Sequence, residues 1–274
     1  MGSCKTVLKD EFTLKALSLT YTPESDFYYS QSGCHPAVFL VLRTALCVYQ
    51  LSAFIYSVST DPYKMGATQE HFFLAFLTRW AFTTLTIYVT IALIVSIVGH
   101  LKLNRQRKLE VGALETEYDP VKLSNPWYTK VVWILYIITV PAAFFVSILY
   151  WAFLYNPHPF KFDNFAAHAF NLIVVTLDLI FNAIPVRLIH AVYVMAYATT
   201  YVIFTVIYYY VDPVNNSLYK VMLNWNDPVT ASIVSIVLIL IILPIFQLLI
   251  FGIYLLKLFV SEKLSSRTCG KPIG

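Results

Sequence analysis

Residues 229–250 read VTASIVSIVLILIILPIFQLLI, an apolar stretch that contains no charged residue. A helix needs about 20 apolar residues to cross the hydrocarbon core of a bilayer, which is about 30 Å thick. The stretch is long enough to do so, and it therefore predicts a membrane-spanning helix. Pro244 lies within it, and because proline lacks a backbone N–H, a kink is expected there.

The whole chain has a similarly apolar composition. Of its 274 residues, 58% are hydrophobic and only 12% are charged, whereas soluble domains carry about 25% charged residues. Lipid is therefore the expected solvent, and membrane lipids are the expected partners. The net charge of +4 is small, and the basic residues are scattered around the apolar runs, so no nucleic acid partner is expected.

Six apolar runs are long enough to span a membrane. They are residues 36–58, 76–99, 130–155, 165–183, 188–211 and 229–259. The predicted fold is therefore all-α, a six-span transmembrane helical bundle. Residues 1–35 are expected to form a cytosolic N-terminal tail, residues 36–259 the transmembrane domain, and residues 260–274 a cytosolic C-terminal tail. Pro185 separates the fourth and fifth runs and predicts an antiparallel hairpin there.

The distribution of basic residues predicts the orientation of the bundle. Of the 19 Lys and Arg residues, 14 fall on the side that holds both termini and the 100–130 loop, and four fall on the other side. Positive charge concentrates on the cytosolic side of membrane proteins, so both termini are predicted to be cytosolic. The four cysteines have no metal-ligand spacing. No disulfide framework, metal or cofactor is therefore expected.

Two short motifs agree with this orientation. Asn215-Asn216-Ser217 is an N-glycosylation sequon in the non-cytosolic loop before the sixth run. The first six residues, MGSCKT, fit the pattern for myristoylation of Gly2, with Cys4 placed for palmitoylation. A chance match is the alternative for the sequon, and an unmodified N-terminus is the alternative for the lipidation pattern.

Two opposite charges lie inside predicted spans, where charged side chains are costly. At 1.5 Å per residue, Arg43 lies about 10 Å from the cytosolic end of the first run, and Asp178 lies about 8 Å from that end of the fourth. The matching depths predict a buried ion pair. The alternatives are separate snorkelling to the cytosolic interface, or a proton or ion path. Transport would need more intramembrane acids than the chain contains.

Polar residues also occur at the opposite membrane level. Thr84 lies in the second run and His168 near the start of the fourth, with Asn164 and Asn171 on the same side of the helix as His168. The ordinary interpretation is packing, because a threonine in a membrane helix usually hydrogen-bonds to a carbonyl of its own helix. The alternative interpretation is a catalytic pair.

Several segments resemble the rolling stone family of membrane proteins. They are NFAAHAFN at 164–171, VVTLDLI at 174–180, IPVRLIH at 184–190 and NWNDP at 224–228. The resemblance covers residues 30–260, although Asn224 stands where the family tends to have an acidic residue. It implies an invertebrate-type multi-pass membrane protein, and the founding role of the family is in myoblast fusion.

A more distant resemblance implies a chemistry. Residues 80–84, WAFTT, and residues 164–169, NFAAHA, are similar to motifs of the androgen-induced and androgen-dependent TFPI-regulating proteins. These are six-span threonine hydrolases of fatty acid esters of hydroxy fatty acids. The resemblance implies that Thr84 is a nucleophile and His168 its base, while Asn164 would orient the imidazole or bind the oxyanion. The implied function is an intramembrane lipid ester hydrolase, and the alternative is a non-catalytic factor in cell adhesion or myoblast fusion.

Overall fold

A computed structural model gives the fold of the chain. It describes residues 11, 13–20, 24–31, 35–60, 71–112, 126–155, 162–219 and 222–269. Within these residues the secondary structure is helical, apart from two isolated backbone bridges that join Ser30 to Asn182 and Tyr219 to Leu223. The prediction of an all-α fold is confirmed.

Six of the helices in the described residues are long and apolar enough to cross a membrane. They are α1 (Pro36–Ser59), α2 (Leu77–Lys102), α3 (Trp127–Phe153), α4 (Phe162–Phe181), α5 (Ala191–Val211) and α6 (Pro228–Lys263). Each boundary lies within four residues of the predicted one, and the six-span prediction is confirmed. Helix α2 continues to Gly112 and α6 to Cys269, so the predicted C-terminal tail begins as a helical extension.

Local chemistry explains where several helices begin and end. Helices α1 and α6 each begin with a proline, which is favoured at the first helical position because no N–H is needed there. The side chain of Asp227 caps α6 by accepting a hydrogen bond from the backbone N–H of Thr230 at 3.2 Å. Hydrogen bonds from Thr230 also hold the pKa of the Asp227 carboxyl below its usual value.

Three of the six helices contain a π turn. These turns are Tyr150–Leu154 in α3, Ala166–Phe170 in α4 and Leu238–Ile242 in α6. A π turn widens the helix locally by bonding each N–H to the carbonyl five residues earlier. The turn in α6 includes Leu240, whose carbonyl would be the partner of an N–H that Pro244 lacks. The hydrogen bonding of α6 therefore changes from the α to the π pattern just before Pro244, where the sequence predicted a kink.

Helix α3 lies at the centre of the bundle. It is buried over 72% of its most apolar stretch, compared with 17% for α5 and 22% for α6. Its side chains Trp133 and Tyr136 are almost completely buried. The outer helices instead expose large apolar side chains such as Ile203, Ile207 and Leu240. A hydrocarbon solvent can accept such a surface, in agreement with the composition.

Residues 24–31 form an N-terminal cap on one end of the bundle. We call this the proximal end, where the charge distribution predicts the cytosol, and the opposite end the distal end. Phe27 of the cap is fully buried, and Tyr28 covers Gly99 of α2 so closely that a Cβ atom added there would lie 2.3 Å from the ring. The described part of the predicted N-terminal tail is therefore folded against the transmembrane helices.

Candidate functional site

Arg43 and Asp178 lie together in the proximal half of the bundle. The Nε atom of Arg43 in α1 is 3.6 Å from a carboxylate oxygen of Asp178 in α4, and both side chains are buried. The second carboxylate oxygen accepts hydrogen bonds from Tyr88 at 2.5 Å and from Asn182 at 2.9 Å. The structure thus brings together the two charges that the sequence places at one depth.

The Arg43 guanidinium also binds two further parts of the structure. Its Nη1 atom donates to the carbonyl of Phe27 at 3.1 Å, to the carbonyl of Ala92 at 3.1 Å and to the hydroxyl of Ser96 at 2.5 Å. Because these partners belong to the N-terminal cap and to α2, the arginine connects the cap with two spans. This arrangement suits helix packing.

Lys257 of α6 is a third charge in this region, and it was not predicted from the sequence. Its ammonium group donates to the carbonyl of Leu179 at 2.9 Å and to that of Asn182 at 2.8 Å. These carbonyls lie at the end of α4, where the helix leaves them without internal partners. A cation near a helix C-terminus is favourable, so Lys257 fastens α6 to α4.

A polar pocket of about 260 Å³ lies at the distal end of the bundle. It is bordered by the first turns of α2 and α4 and by the loop that precedes α6. The polar side chains that line it are Thr78, Arg79, Asp163, Asn164, His168 and Tyr219. Of the three predicted catalytic residues, Asn164 and His168 line this pocket and Thr84 does not.

A second ion pair forms one wall of the pocket. Arg79 donates to both carboxylate oxygens of Asp163, from Nη1 at 2.9 Å and from Nη2 at 2.6 Å, and the Ser57 hydroxyl of α1 hydrogen-bonds to both residues. This pair was not predicted. The sequence did contain a signal for it, because Arg79 and Asp163 are opposite charges at the outer starts of the second and fourth spans. The depth argument that identified Arg43 and Asp178 applies to them as well.

His168 lies in the π turn of α4 and is only 7% exposed. Its ring stacks on that of Tyr150, with centroids 3.5 Å apart and planes inclined by 8°. The amide of Asn164 donates a hydrogen bond to the Tyr150 hydroxyl, so it holds the ring on which the imidazole stacks. The Nδ1 atom of His168 is buried and has no hydrogen-bond partner among the described residues.

The structure does not bring Thr84 and His168 together. The Thr84 hydroxyl bonds to the carbonyl of Trp80 at 2.9 Å and to the hydroxyl of Tyr197 in α5 at 3.0 Å. At 3.6 residues per turn, Thr84 lies about 140° around α2 from Arg79, and Arg79 is the residue that shares the pocket with His168. Membrane depth can be read from the sequence, but the rotation of each helix about its axis cannot.

Of the predicted modification sites, the structure describes Asn215, which does not line the pocket. Asn215 is exposed in the loop between α5 and α6, and its amide donates to the carboxylate of Asp212 at 2.8 Å. Hydrogen bonds from Asn215 lower the pKa of the Asp212 carboxyl. The proposed lipidation sites, Gly2 and Cys4, lie outside the residues that the structure describes.

These features define an integral, multi-pass α-helical membrane protein with a polar pocket at one membrane level. Among the described residues, no group of three or more His, Cys, Asp and Glu side chains is placed to hold a metal ion. The groups that the pocket offers to a ligand are hydroxyls, one amide, an imidazole and an arginine–carboxylate pair.

The chain belongs to the rolling stone family. The sequence profile of the family described as Protein rolling stone matches residues 2–273. Protein rolling stone of Drosophila melanogaster is 28% identical over 192 residues, which cover 68% of this chain and 67% of that protein. The resemblance read from the sequence is confirmed. No solved structure matches this chain.

Proposed function

We propose that this rolling stone family protein is an intramembrane hydrolase of lipid esters and that the polar pocket is its active site. The observation that carries the proposal is the imidazole of His168, which lines the pocket and whose two ring nitrogens make no hydrogen bond to another described residue; of the two, Nδ1 is buried. A general base needs such a nitrogen to accept a proton from the attacking group. The position of the pocket at the distal end also suits a lipid ester, whose carbonyl lies near the membrane interface.

Thr78 is the threonine hydroxyl that shares the pocket with His168. It is the second residue of α2, so residue 74, four positions earlier, precedes the helix. The other four threonines of α2 all bond to the carbonyl of residue i−4, as Thr83 and Thr86 do. The Thr78 hydroxyl makes no hydrogen bond to another described residue and is therefore available as the nucleophile, in place of Thr84.

The proposed reaction has two steps that both use His168. First, Thr78 Oγ attacks the ester carbonyl while its proton passes to His168, and the alcohol then leaves with that proton. Second, a water molecule gives a proton to His168 and attacks the acyl-threonine, which releases the acid and restores the hydroxyl. Asn164 lies in the same pocket. One N–H of its amide is bonded to Tyr150, and the second would donate to the oxyanion.

Covalent labelling with an alkyl fluorophosphonate tests this proposal. We expect the purified protein in lipid nanodiscs to be labelled, and labelling to be lost in Thr78→Val and in His168→Phe. Valine removes only the hydroxyl, and phenylalanine keeps an aromatic ring against Tyr150 while it removes both ring nitrogens. Thr84→Val is the matched control on the same helix, and it should be labelled because its hydroxyl faces α5.

The pattern of labelling also identifies the nucleophile. If Thr84→Val loses labelling and Thr78→Val keeps it, the nucleophile is Thr84, the residue that the distant resemblance implies. A known serine hydrolase in the same preparation is the positive control for the probe. If it is labelled, and the unchanged protein is labelled no more strongly than the His168→Phe variant, the hydrolase proposal fails.

A non-catalytic role in cell adhesion or cell fusion is the second proposal. The observation that favours it is the pairing of intramembrane polar groups with one another, as in the bond between Thr84 and Tyr197 and the ion pair between Arg79 and Asp163. In that case these groups hold the spans together, and the pocket has no catalytic task. Absence of labelling in a folded protein would favour this role.

A further inference from the structure

A second cavity, of about 70 Å³, lies beside the polar pocket. It is bordered by α2, α3, α5, α6 and the loop that precedes α6, and its walls are almost entirely hydrocarbon. Phe145, Leu149, Ala198 and Leu243 contribute to them. An engineered apolar cavity of about 150 Å³ is large enough to bind benzene. At about half that volume, this cavity has room for a short length of hydrocarbon.

The apolar cavity and the polar pocket share two side chains. Thr78 and Tyr219 line both of them. Tyr150 joins them in another way, because its side chain lines the apolar cavity while its ring stacks on His168 and its hydroxyl accepts a hydrogen bond from Asn164. A molecule that extends from one space to the other therefore passes Thr78, with its polar part beside His168 and its apolar part beside α6.

The three π turns of the bundle all border these two spaces. Tyr150 of the α3 turn and Leu238 of the α6 turn line the apolar cavity, and His168 of the α4 turn lines the polar pocket. A π turn costs hydrogen-bond quality and is rare, and it occurs frequently at functional sites. Three such turns around one pair of cavities are an independent indication of a ligand site.

The polar pocket contains a full positive and a full negative charge that neutralise each other. Arg79 and Asp163 form a bidentate ion pair, so a charged headgroup would have to break that pair or remain without a counter-ion. An uncharged ester or hydroxyl can instead bond to the free groups, which are the His168 imidazole and the Thr78 hydroxyl. The hydroxyl of Tyr219 accepts from the backbone N–H of Leu77 at 3.1 Å and retains its own proton for a ligand.

We infer that the two cavities together bind one monoacyl lipid whose polar group is uncharged, such as a monoacylglycerol. Its ester and hydroxyl groups lie in the polar pocket, and the first part of its acyl chain lies in the apolar cavity. Val202 of α5 and Ile239 of α6, which line this cavity, are only half-buried, so the rest of the chain continues between these helices into the bilayer. The inference names a substrate class for the proposed hydrolase and, for the reaction, rests on that proposal.

Photocrosslinking in lipid nanodiscs tests the binding site without requiring turnover. The probe is a monoacylglycerol that carries a diazirine at the start of its acyl chain and an alkyne at the end. We expect crosslinks on residues of α5 and α6 that line the apolar cavity. Ala198→Phe fills this cavity, and we expect it to reduce crosslinking about tenfold, which corresponds to about 1.4 kcal/mol of binding free energy.

Ala196→Phe is the matched control, because Ala196 lies on the exposed face of the same helix. This variant should be crosslinked as strongly as the unchanged protein. Val202→Phe is a second cavity-filling variant in case Ala198→Phe does not fold. Unlabelled monoacylglycerol should compete with the probe, whereas a fatty acid and a lysophosphatidic acid should not. Equal crosslinking in the filled and control variants, or equal competition by the anionic lipids, would overturn the inference.

The binding and labelling experiments separate the two proposals. Crosslinking that depends on the cavity, together with absence of fluorophosphonate labelling, supports a lipid site in a protein that is not a hydrolase. The opposite result is labelling that depends on His168 and crosslinking that is unchanged in Ala198→Phe. It would support the hydrolase proposal and reject this lipid site.

Discussion

Gly99 is the position at which the N-terminal cap comes closest to a membrane span. The ring of Tyr28 occupies the place of its missing side chain, and a Cβ atom would approach the base of that ring, at Cγ, to 2.3 Å. Rotation about the Cα–Cβ bond of Tyr28 could move Cγ, but the ring is buried and its hydroxyl is hydrogen-bonded to Glu24 and Tyr128, so it has little room to turn. The cap must therefore shift if any other residue replaces this glycine.

We expect Gly99→Ala to displace the cap and to destabilise the protein by about 1–3 kcal/mol, the usual cost of overpacking. The melting temperature of the detergent-solubilised protein, followed by tryptophan fluorescence, measures this change. Gly252→Ala in α6 is the control, since nothing lies within 4 Å of a Cβ atom added there. Alanine favours a helix over glycine by up to about 1 kcal/mol, so Gly252→Ala should be neutral or stabilising. Equal losses in the two variants would show that the contact with Tyr28 is not responsible.

At the level of elements, α1 and α4 are joined by polar pairs at three depths. Asp178 pairs with Arg43 near the proximal end, Asn171 with Gln50 at mid-depth, and Asp163 with Ser57 near the distal end. The spacing in each helix is seven or eight residues, about two turns, so one face of each helix carries all three partners. Apolar residues separate the three levels; they include Leu46, Ala53, Ala167 and Val174. Because the polar levels are not continuous, they favour helix registration over an ion path.

The middle pair offers a direct test of this registration. Gln50 donates to Asn171 at 3.4 Å and to Thr86 at 3.3 Å, so Gln50→Leu or Asn171→Leu leaves a buried polar group without its partner. We expect each single change to cost about 1–3 kcal/mol. The double variant should cost less than the sum of the two, because no unpaired amide then remains. Thermal unfolding of all four proteins completes the cycle.

Ser52→Ala is a suitable control for this cycle. Ser52 lies on the exposed face of α1, and among the described residues its hydroxyl bonds only to the carbonyl of Val48, so loss of this hydroxyl should change stability little. Strict additivity of the Gln50 and Asn171 effects would mean that the two side chains do not act as a pair.

The six spans could be predicted because apolar length is a local property of the sequence. The Arg43–Asp178 pair could also be predicted, since depth follows from counting residues along a helix. Thr84 illustrates what could not be predicted, because the face that a residue presents depends on how its helix is rotated against its neighbours. The same limit applies to Thr78, which lies only six residues earlier and yet shares the pocket with His168. The π turns were not predictable either, because they depend on tertiary packing.

At the level of the whole molecule, the charge distribution predicts that the proximal end faces the cytosol. We expect epitope tags at both termini and in the 113–125 segment to be inaccessible in intact cells and accessible after selective permeabilisation of the plasma membrane. A tag inserted after Val214, in the distal loop, is the internal control. If the protein lies in the plasma membrane, this tag should be accessible on intact cells. If it lies in an internal membrane, the tag should be accessible only after complete solubilisation. Detection of any proximal tag on intact cells would reverse the orientation.

The central burial of α3 also affects the biosynthesis of the protein. Spans leave the ribosome in chain order, so α3 enters the membrane before α4, α5 and α6, although it packs against all three. Until these helices arrive, the surfaces of α3 that they cover face lipid or the insertion machinery. A nascent chain that stops after the third span thus displays an unfinished interface, and quality-control factors that survey the bilayer can recognise it before the protein is complete.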